Sequence, residues 1–390
     1  MARSARCGWA GWSLVVCGGG WLLYGWLTST EQQLQQREQP QAQQQMRQQQ
    51  QQAPPLFSFG VIADVQWADI PDGTGFGGRD RRYFRGALAV LTAAVDYWGA
   101  VRPTFVAQLG DLVDGKSKQN GARGGSAAAL EAARAQLRRL PCRVVSLVGN
   151  HDLYNHPRDV LAAQLATAPP PDGREYYAFE PAAGWRVLVL DAYQESVIGH
   201  DAADARHRRA ARALAAHNPN DLSDGGAWFR GLEGDARRWV PYNGALGRAQ
   251  LAFLQRELRA AKAAGARVLV LSHVVLSPHA CDGTTMAWDY AAALALLAEA
   301  APTVAMVLCG HDHHGGYAYD EAARVHHLTL RSPLNLGAAG RAYGRLRVHR
   351  DHLALLGPRL DDLLPSAERW PRRPPTQRDD DEDAIYFAIR

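Results

Sequence analysis

Six short apolar runs between residues 57 and 309 each end on a cluster of acidic, amide or histidine side chains. The runs cover 57–63, 104–109, 143–148, 186–190, 267–271 and 304–309 and are rich in Val, Leu and Phe, the pattern of strands buried on both faces. The clusters that follow them are, in order, Asp64 with Gln66, Asp111 with Asp114, Asn150 with His151 and Asp152, Asp191, His273, and His311 with His313. Ala- and Leu-rich stretches separate the runs, and their spacing predicts helices over 85–98, 126–140, 248–264 and 287–300. Strands alternating with helices make an α/β domain with a covered sheet. Ligands of such sheets bind beyond the carboxyl ends of the strands, and every cluster falls there.

The clusters also share a chemistry. Asp64, Gln66, Asp111, Asn150, His273, His311 and His313 offer carboxylate oxygens, amide oxygens and imidazole nitrogens, a donor set for divalent ions in sites that keep one position open for water. Two ions about 3.5–4 Å apart can share one carboxylate and one hydroxide, an arrangement that cleaves phosphoester and phosphoanhydride bonds. Asp111 is the expected bridge, because it stands in the middle of the set and follows Gly110, which lets the backbone turn tightly at a strand end. Isolated histidines, namely His156, His200, His326, His327, His349 and His352, read as caps or turn residues.

Asp-x-Gln at 64–66, Gly-Asp-x-x-Asp at 110–114, Gly-Asn-His-Asp at 149–152, His273, and Gly-His-x-His at 310–313, in this order, resemble the calcineurin-like metallophosphoesterase superfamily. Within it, segments 57–66, 108–115, 190–193, His-Asn-Pro-Asn at 217–220, Trp288 with Tyr290, and 310–317 are most similar to the manganese-dependent ADP-ribose/CDP-alcohol diphosphatases. The resemblance runs from about residue 56 to about residue 350. It implies a four-layer α/β/β/α sandwich with a dinuclear metal site at the strand carboxyl ends. Asp64, Gln66, Asp111 and His313 would hold the first metal, and Asp111, Asn150, His273 and His311 the second. His151 would face the phosphate without holding metal, and Asp114 would orient it. Asp152, which stands where some family members carry Glu, is counted with these two among the catalytic residues. Phe76, Asn243 and Trp288 lie in segments resembling the subfamily and are its candidate substrate-binding residues.

The activity implied is hydrolysis of the pyrophosphate of ADP-ribose or a CDP-alcohol such as CDP-choline, by attack of a metal-bridging hydroxide, with a small nucleotide diphosphate as the partner. Gln66 stands where the superfamily usually has His, and an amide oxygen is a harder and weaker donor than imidazole. The two ions are therefore expected to be manganese in preference to magnesium, zinc or iron. The alternatives are another metallophosphoesterase (a phosphomonoesterase, cyclic-nucleotide phosphodiesterase or phosphoprotein phosphatase) or a non-catalytic scaffold of the same fold. The scaffold is disfavoured because all seven ligand positions and His151 are present.

The remaining sequence sets the organisation around this domain, expected over 56–360 with a cap insertion at about 200–247. The net charge of +4 is well mixed, with no basic stripe, which argues against nucleic acid as a partner. Five cysteines without paired spacing read as reduced thiols. Residues 1–30 carry Arg3 and Arg6 and then a charge-free stretch over 7–27, long enough to span a bilayer. It reads as a membrane anchor in preference to a cleaved targeting peptide or an unstructured leader; without an anchor, the resemblance implies the cytoplasm. The Gln-rich stretch 31–55 reads as disordered and the tail 361–390 as mostly disordered, on its Pro-, Arg- and Asp-rich segment 371–383.

Overall fold

The computed structural model describes residues 54–75, 78, 80–119, 121, 124–165, 175–223, 227–365 and 383–389. The expected anchor and most of the Gln-rich spacer lie outside the described residues. No helix among the described residues is long and apolar enough to cross a membrane.

From its amino end the described chain forms strand β1 (Phe57–Ile62), a short antiparallel pair β2 (Gly73–Thr74) and β3 (Arg81–Arg82), helix α1 (Phe84–Val101), β4 (Phe105–Gln108), α2 (Gly125–Leu137), β5 (Arg143–Ser146), α3 (Asn150–Asn155) and α4 (Arg158–Leu165). It continues through β6 (Tyr177–Ala182), β7 (Trp185–Val189), α5 (Ala205–His217), α6 (Gly247–Ala263), β8 (Arg267–Leu271), α7 (Tyr290–Glu299) and β9 (Val304–Cys309). The last elements are β10 (Gly316–Asp320), β11 (Val325–Thr329), β12 (Gly344–Val348), β13 (His352–Gly357), α8 (Leu360–Leu363) and β14 (Asp383–Ala388).

The strands build two six-stranded sheets, as the four-layer arrangement implied by the resemblance requires. The first has the order β14-β13-β12-β1-β4-β5 and the second β10-β11-β9-β8-β7-β6. In the first, β1-β4-β5 run parallel out to one edge and β12, β13 and β14 continue antiparallel on the other side; in the second, β11-β9-β8-β7 run parallel between the antiparallel edge strands β10 and β6. The alternation along each strand explains the stacking. Phe59, Val61, Phe105 and Ala107 of the first sheet share one core with Val187, Leu269, Leu271 and Leu308 of the second. The intervening Val106, Leu188, Val268 and Val270 join the core lined by helices. Helices α1 and α2 pack together, as do α6 and α7, with α6 against β7 and β8. The result is the four-layer α/β/β/α order, and it leaves the strands apolar on both faces. Full burial of each such side chain contributes about 1.5–3 kcal/mol.

Two boundaries differ from expectation for tertiary reasons. Helix α7 starts at Tyr290 and not near Ala287, because the segment before it runs beside neighbouring backbone: Met286 bridges Val275, and the Ala287 and Trp288 amides bond to the Val275 and Gly244 carbonyls at 3.0 and 2.9 Å. The tail is not without structure, since its last described residues form β14, which pairs with β13 and buries Phe387 completely in the core between the sheets. The Pro-, Arg- and Asp-rich composition that argued for disorder belongs to the residues before this strand, and residues 366–382 lie outside the described residues.

Candidate metal centre

The candidate ligands all sit just past strand ends. Asp64 and Gln66 follow β1, Asp111 follows β4, Asn150 opens α3 after β5, His273 follows β8, and His311 and His313 follow β9. Asp64, Gln66, Asp111 and His311 hold left-handed backbone, with φ of 52°, 47°, 55° and 69°. This conformation costs a non-glycine residue on the order of 1–2 kcal/mol. Only six non-glycine residues among those described adopt it, so the strain is concentrated where the ligands converge. Two glycines make the convergence sterically feasible. Gly110 sits at φ 101° with the His273 ring against its Cα, and a Cβ on Gly149 would overlap the Asp111 carboxylate.

The polar groups so gathered are buried. Asp64, Gln66 and His273 are fully excluded from solvent, and Asp111, Asn150 and His311 nearly so. Ligand atoms of Asp111, His273 and His311 lie within 4.8 Å of one another. His273 Nε2 is 3.5 Å from Asp111 Oδ2, and His313 Nε2 is 3.6 Å from Asp64 Oδ1. The Gln66 carboxamide nitrogen lies 3.0 Å from Asp111 Oδ2 and 2.8 Å from His313 Nε2; turned over, the amide would place its oxygen there.

Outer contacts aim these groups inward. His273 Nδ1 lies 2.8 Å from the Leu109 carbonyl, to which it donates, so Nε2 keeps its lone pair. Asp64 Oδ2 accepts from the His311 amide at 2.8 Å and Asp111 Oδ1 from the His151 amide at 2.7 Å. What remains is an imbalance: Asp64 Oδ1 and His273 Nε2 are buried without a hydrogen-bond partner. Orphaned acceptors of this kind are costly, and a cation bound at each would remove the cost. The oxygen and nitrogen donors, without sulfur, therefore fit a divalent metal pair.

The electrostatics agree. Burial alone would raise the Asp111 carboxyl, yet His273 and His151 hold it well below the usual carboxylate range. Burial pushes the His273 imidazole down, but the Asp111 and Asp64 charges outweigh it and lift it to about 9. Burial and the neighbouring His273 keep His311 well below its ordinary value. A metal at His273 Nε2 would compete with a proton there.

His151 stands apart from the ligands. Its Nδ1 lies 3.2 Å from Asp114 Oδ2, a fully buried oxygen with no other hydrogen-bond partner, and 3.0 Å from the Gly115 amide. The Gly115 amide donates to Nδ1 when that nitrogen carries a lone pair, and Nδ1 donates to Asp114, which also pairs with Arg82 at 3.7 Å, when it carries the proton. Burial pushes His151 down, and the charges of Asp111 and Asp114 reverse this and raise it. The ring edges a cleft of about 740 Å³, in the size range of small-molecule sites. Arg82, Lys116 and Arg237 bring positive charge to this cleft, and Trp228, Phe229 and Tyr242 bring aromatic faces.

Three expectations need correction, and one cannot be placed. Asp152 does not reach the cleft: it is fully buried and its oxygens accept from the amides of Asp111, Leu112, Val113 and Gly149 at 2.8–3.2 Å. It is a clamp on the Asp111 turn, because no lone pair is left to face a substrate. Asn243 is also fully buried, with its amide turned to His311 and to backbone carbonyls. Trp288 is 4% exposed and stacks on Trp239 at 5.7 Å within a small apolar cluster with Ala210, Leu214 and Ala245, so packing uses its ring. Phe76 lies outside the described residues.

Asp191 is a support: it accepts from the Tyr193 amide at 2.9 Å and pairs with Arg158 at 3.0 Å. Tyr193, which the sequence reading passed over, donates its hydroxyl to Asn150 Oδ1 at 3.1 Å. Its signal was its place in the strand-end segment 190–193. The cleft residues Trp228 and Arg237 had no such signal, since they lie in the irregular stretch after α5.

Comparisons with known proteins follow the same lines. The model of the calcineurin-like phosphoesterase family matches residues 57–315. A manganese-dependent ADP-ribose/CDP-alcohol diphosphatase of Arabidopsis thaliana is 37% identical over 78% of this chain and 94% of its own length. The Homo sapiens protein of the same name is 34% identical over 77% of this chain and 90% of its own. The crystal structure of a dimetal phosphatase from Danio rerio superposes with a TM-score of 0.72 at 34% identity, covering 78% of this chain and 96% of the other. Strand-end donors, orphaned acceptors and family match coincide over one stretch of sequence, and the chain belongs to the calcineurin-like phosphoesterase family.

Proposed function

We propose that the chain is a manganese-dependent diphosphatase that hydrolyses the pyrophosphate of ADP-ribose and of CDP-alcohols. One P–O bond of the pyrophosphate breaks and water supplies the new one, giving AMP and ribose 5-phosphate, or CMP and phosphocholine from CDP-choline. The observation that carries this reading is the pair of buried, unpartnered donors, Asp64 Oδ1 and His273 Nε2, set among five further oxygen and nitrogen donors beside a cleft of nucleotide size. The names of the relatives supply the substrate class.

Asp64, Gln66, Asp111, Asn150, His273, His311 and His313 would hold two divalent ions. Bound divalent ions lower the pKa of water and draw charge from phosphoryl oxygens. His151, with Nδ1 held by Asp114, presents Nε2 to the cleft, where it stabilises a phosphoryl oxygen or protonates the leaving one. Arg82 and Lys116 provide cations for a second phosphate, which a monoester lacks. The test is turnover of ADP-ribose, CDP-choline, cyclic AMP and a phosphopeptide, side by side with manganese. The two diphosphates should turn over at least tenfold faster; cyclic AMP or the phosphopeptide leading the series would refute the reading.

A further inference from the structure

Asn243 lies fully buried where three parts of the molecule meet. Its Nδ2 donates to the Arg238 carbonyl at 2.8 Å and to the Thr284 carbonyl at 2.7 Å. Both amide hydrogens are therefore spent, and the orientation of the carboxamide is settled: its oxygen must face the third neighbour, His311 Nε2, at 2.7 Å. An oxygen there accepts, so His311 carries its proton on Nε2 and keeps its lone pair on Nδ1. Only that tautomer leaves a nitrogen free for a metal.

The preceding residue approaches the same centre, its carbonyl an alternative acceptor for the one Tyr193 hydroxyl proton. The Tyr242 carbonyl lies 3.3 Å from the Tyr193 hydroxyl, which in turn reaches Asn150 Oδ1 at 3.1 Å. The dipeptide 242–243 thus touches the surroundings of two ligand residues, His311 and Asn150, while the Tyr242 ring itself lines the cleft. Thr284, the other carbonyl partner, lines the same cleft.

We infer that Asn243 is a positioning residue that joins the cleft wall to the metal centre. Its oxygen selects the metal-binding tautomer of His311, and its nitrogen holds the segment carrying Arg238 against the loop carrying Thr284. The inference rests on the metal-centre reading above and is independent of which diphosphate is the substrate.

The two ends of one amide can be separated by substitution. Asn243→Ala removes both, while Asn243→Asp keeps an acceptor for His311 and replaces the donors by oxygen facing two carbonyls. Manganese affinity of the metal-free full-length chain is read by titration calorimetry, with kcat and KM for ADP-ribose measured separately. Loss of a group that orients a ligand typically costs 10- to 100-fold in metal affinity. Asn243→Ala should therefore bind manganese at least tenfold more weakly. Asn243→Asp should stay within about threefold of the wild-type affinity and show its defect as a raised KM. Unchanged affinity in the Ala variant overturns the inference, and so does a tenfold loss in the Asp variant. If the Ala variant does not fold, the Asp variant alone decides. A wild-type chain that binds no manganese would instead refute the metal-centre reading, so the two failures are distinct.

Discussion

Asp152 shows how a residue that never meets substrate can govern a site. Four backbone amides, from Gly149, Asp111, Leu112 and Val113, point at its two oxygens and hold Asp111 in a left-handed turn that its side chain would otherwise resist. Asp152→Asn keeps the shape but turns an amide nitrogen toward backbone donors. It should cost about 1–3 kcal/mol in urea unfolding and weaken manganese binding alongside; a variant with wild-type stability and affinity would show that the clamp is dispensable. The donor types and their order were legible in the sequence, because a metal-binding carboxylate or imidazole must follow a strand that delivers it. The left-handed backbone at Asp64, Gln66, Asp111 and His311 was not, since ordinary side chains give no local sign of it. Asn243 and Asp152 were misplaced for a related reason. A motif marks which residues accompany a site, while facing the cleft or facing its supports depends on partners far along the chain, such as Thr284 for Asn243 and Asp111 for Asp152.

Secondary elements were predictable where packing and local pattern agree. The six apolar runs became strands because each lies buried on both faces, and the helix reading erred where other parts of the fold claimed the backbone, as at the start of α7. The clearest departure is β14, whose signal is the short run Ala384, Ile385, Tyr386 and Phe387 behind a charged, proline-rich stretch. It covers the edge of β13, and an unpaired edge is a liability in a sheet. His326 Nε2 lies 3.0 Å from the Ala388 carbonyl, which ties the strand to the second sheet as well. Phe387→Ala should therefore destabilise the domain by about 3–5 kcal/mol in urea unfolding without added metal. A loss below 1 kcal/mol would mean that the strand is an ornament on the first sheet.

At the scale of the whole molecule, the two sheets divide the metal centre between them. The first supplies Asp64, Gln66, Asp111, Asn150 and His151, and the second supplies His273, His311 and His313. Neither half is complete, so the sandwich must close before a site exists, and bound ions in turn hold the sheets together, contributing about 2.7 kcal/mol when free metal is a hundredfold above Kd. The same division explains why the resemblance could be read from a linear order of motifs. Strand ends far apart in the chain are brought to one edge of the sandwich, and the donors sit wherever those ends fall. The account stands on this shared centre, and manganese binding to the metal-free chain by calorimetry tests it most directly, with Asp111→Ala and His151→Ala as companions. Two ions per chain are predicted for the wild type and for His151→Ala, which should bind metal yet lose turnover, while Asp111→Ala should lose metal and turnover together. Fewer than two ions in the wild type, or full metal binding by Asp111→Ala, would contradict it.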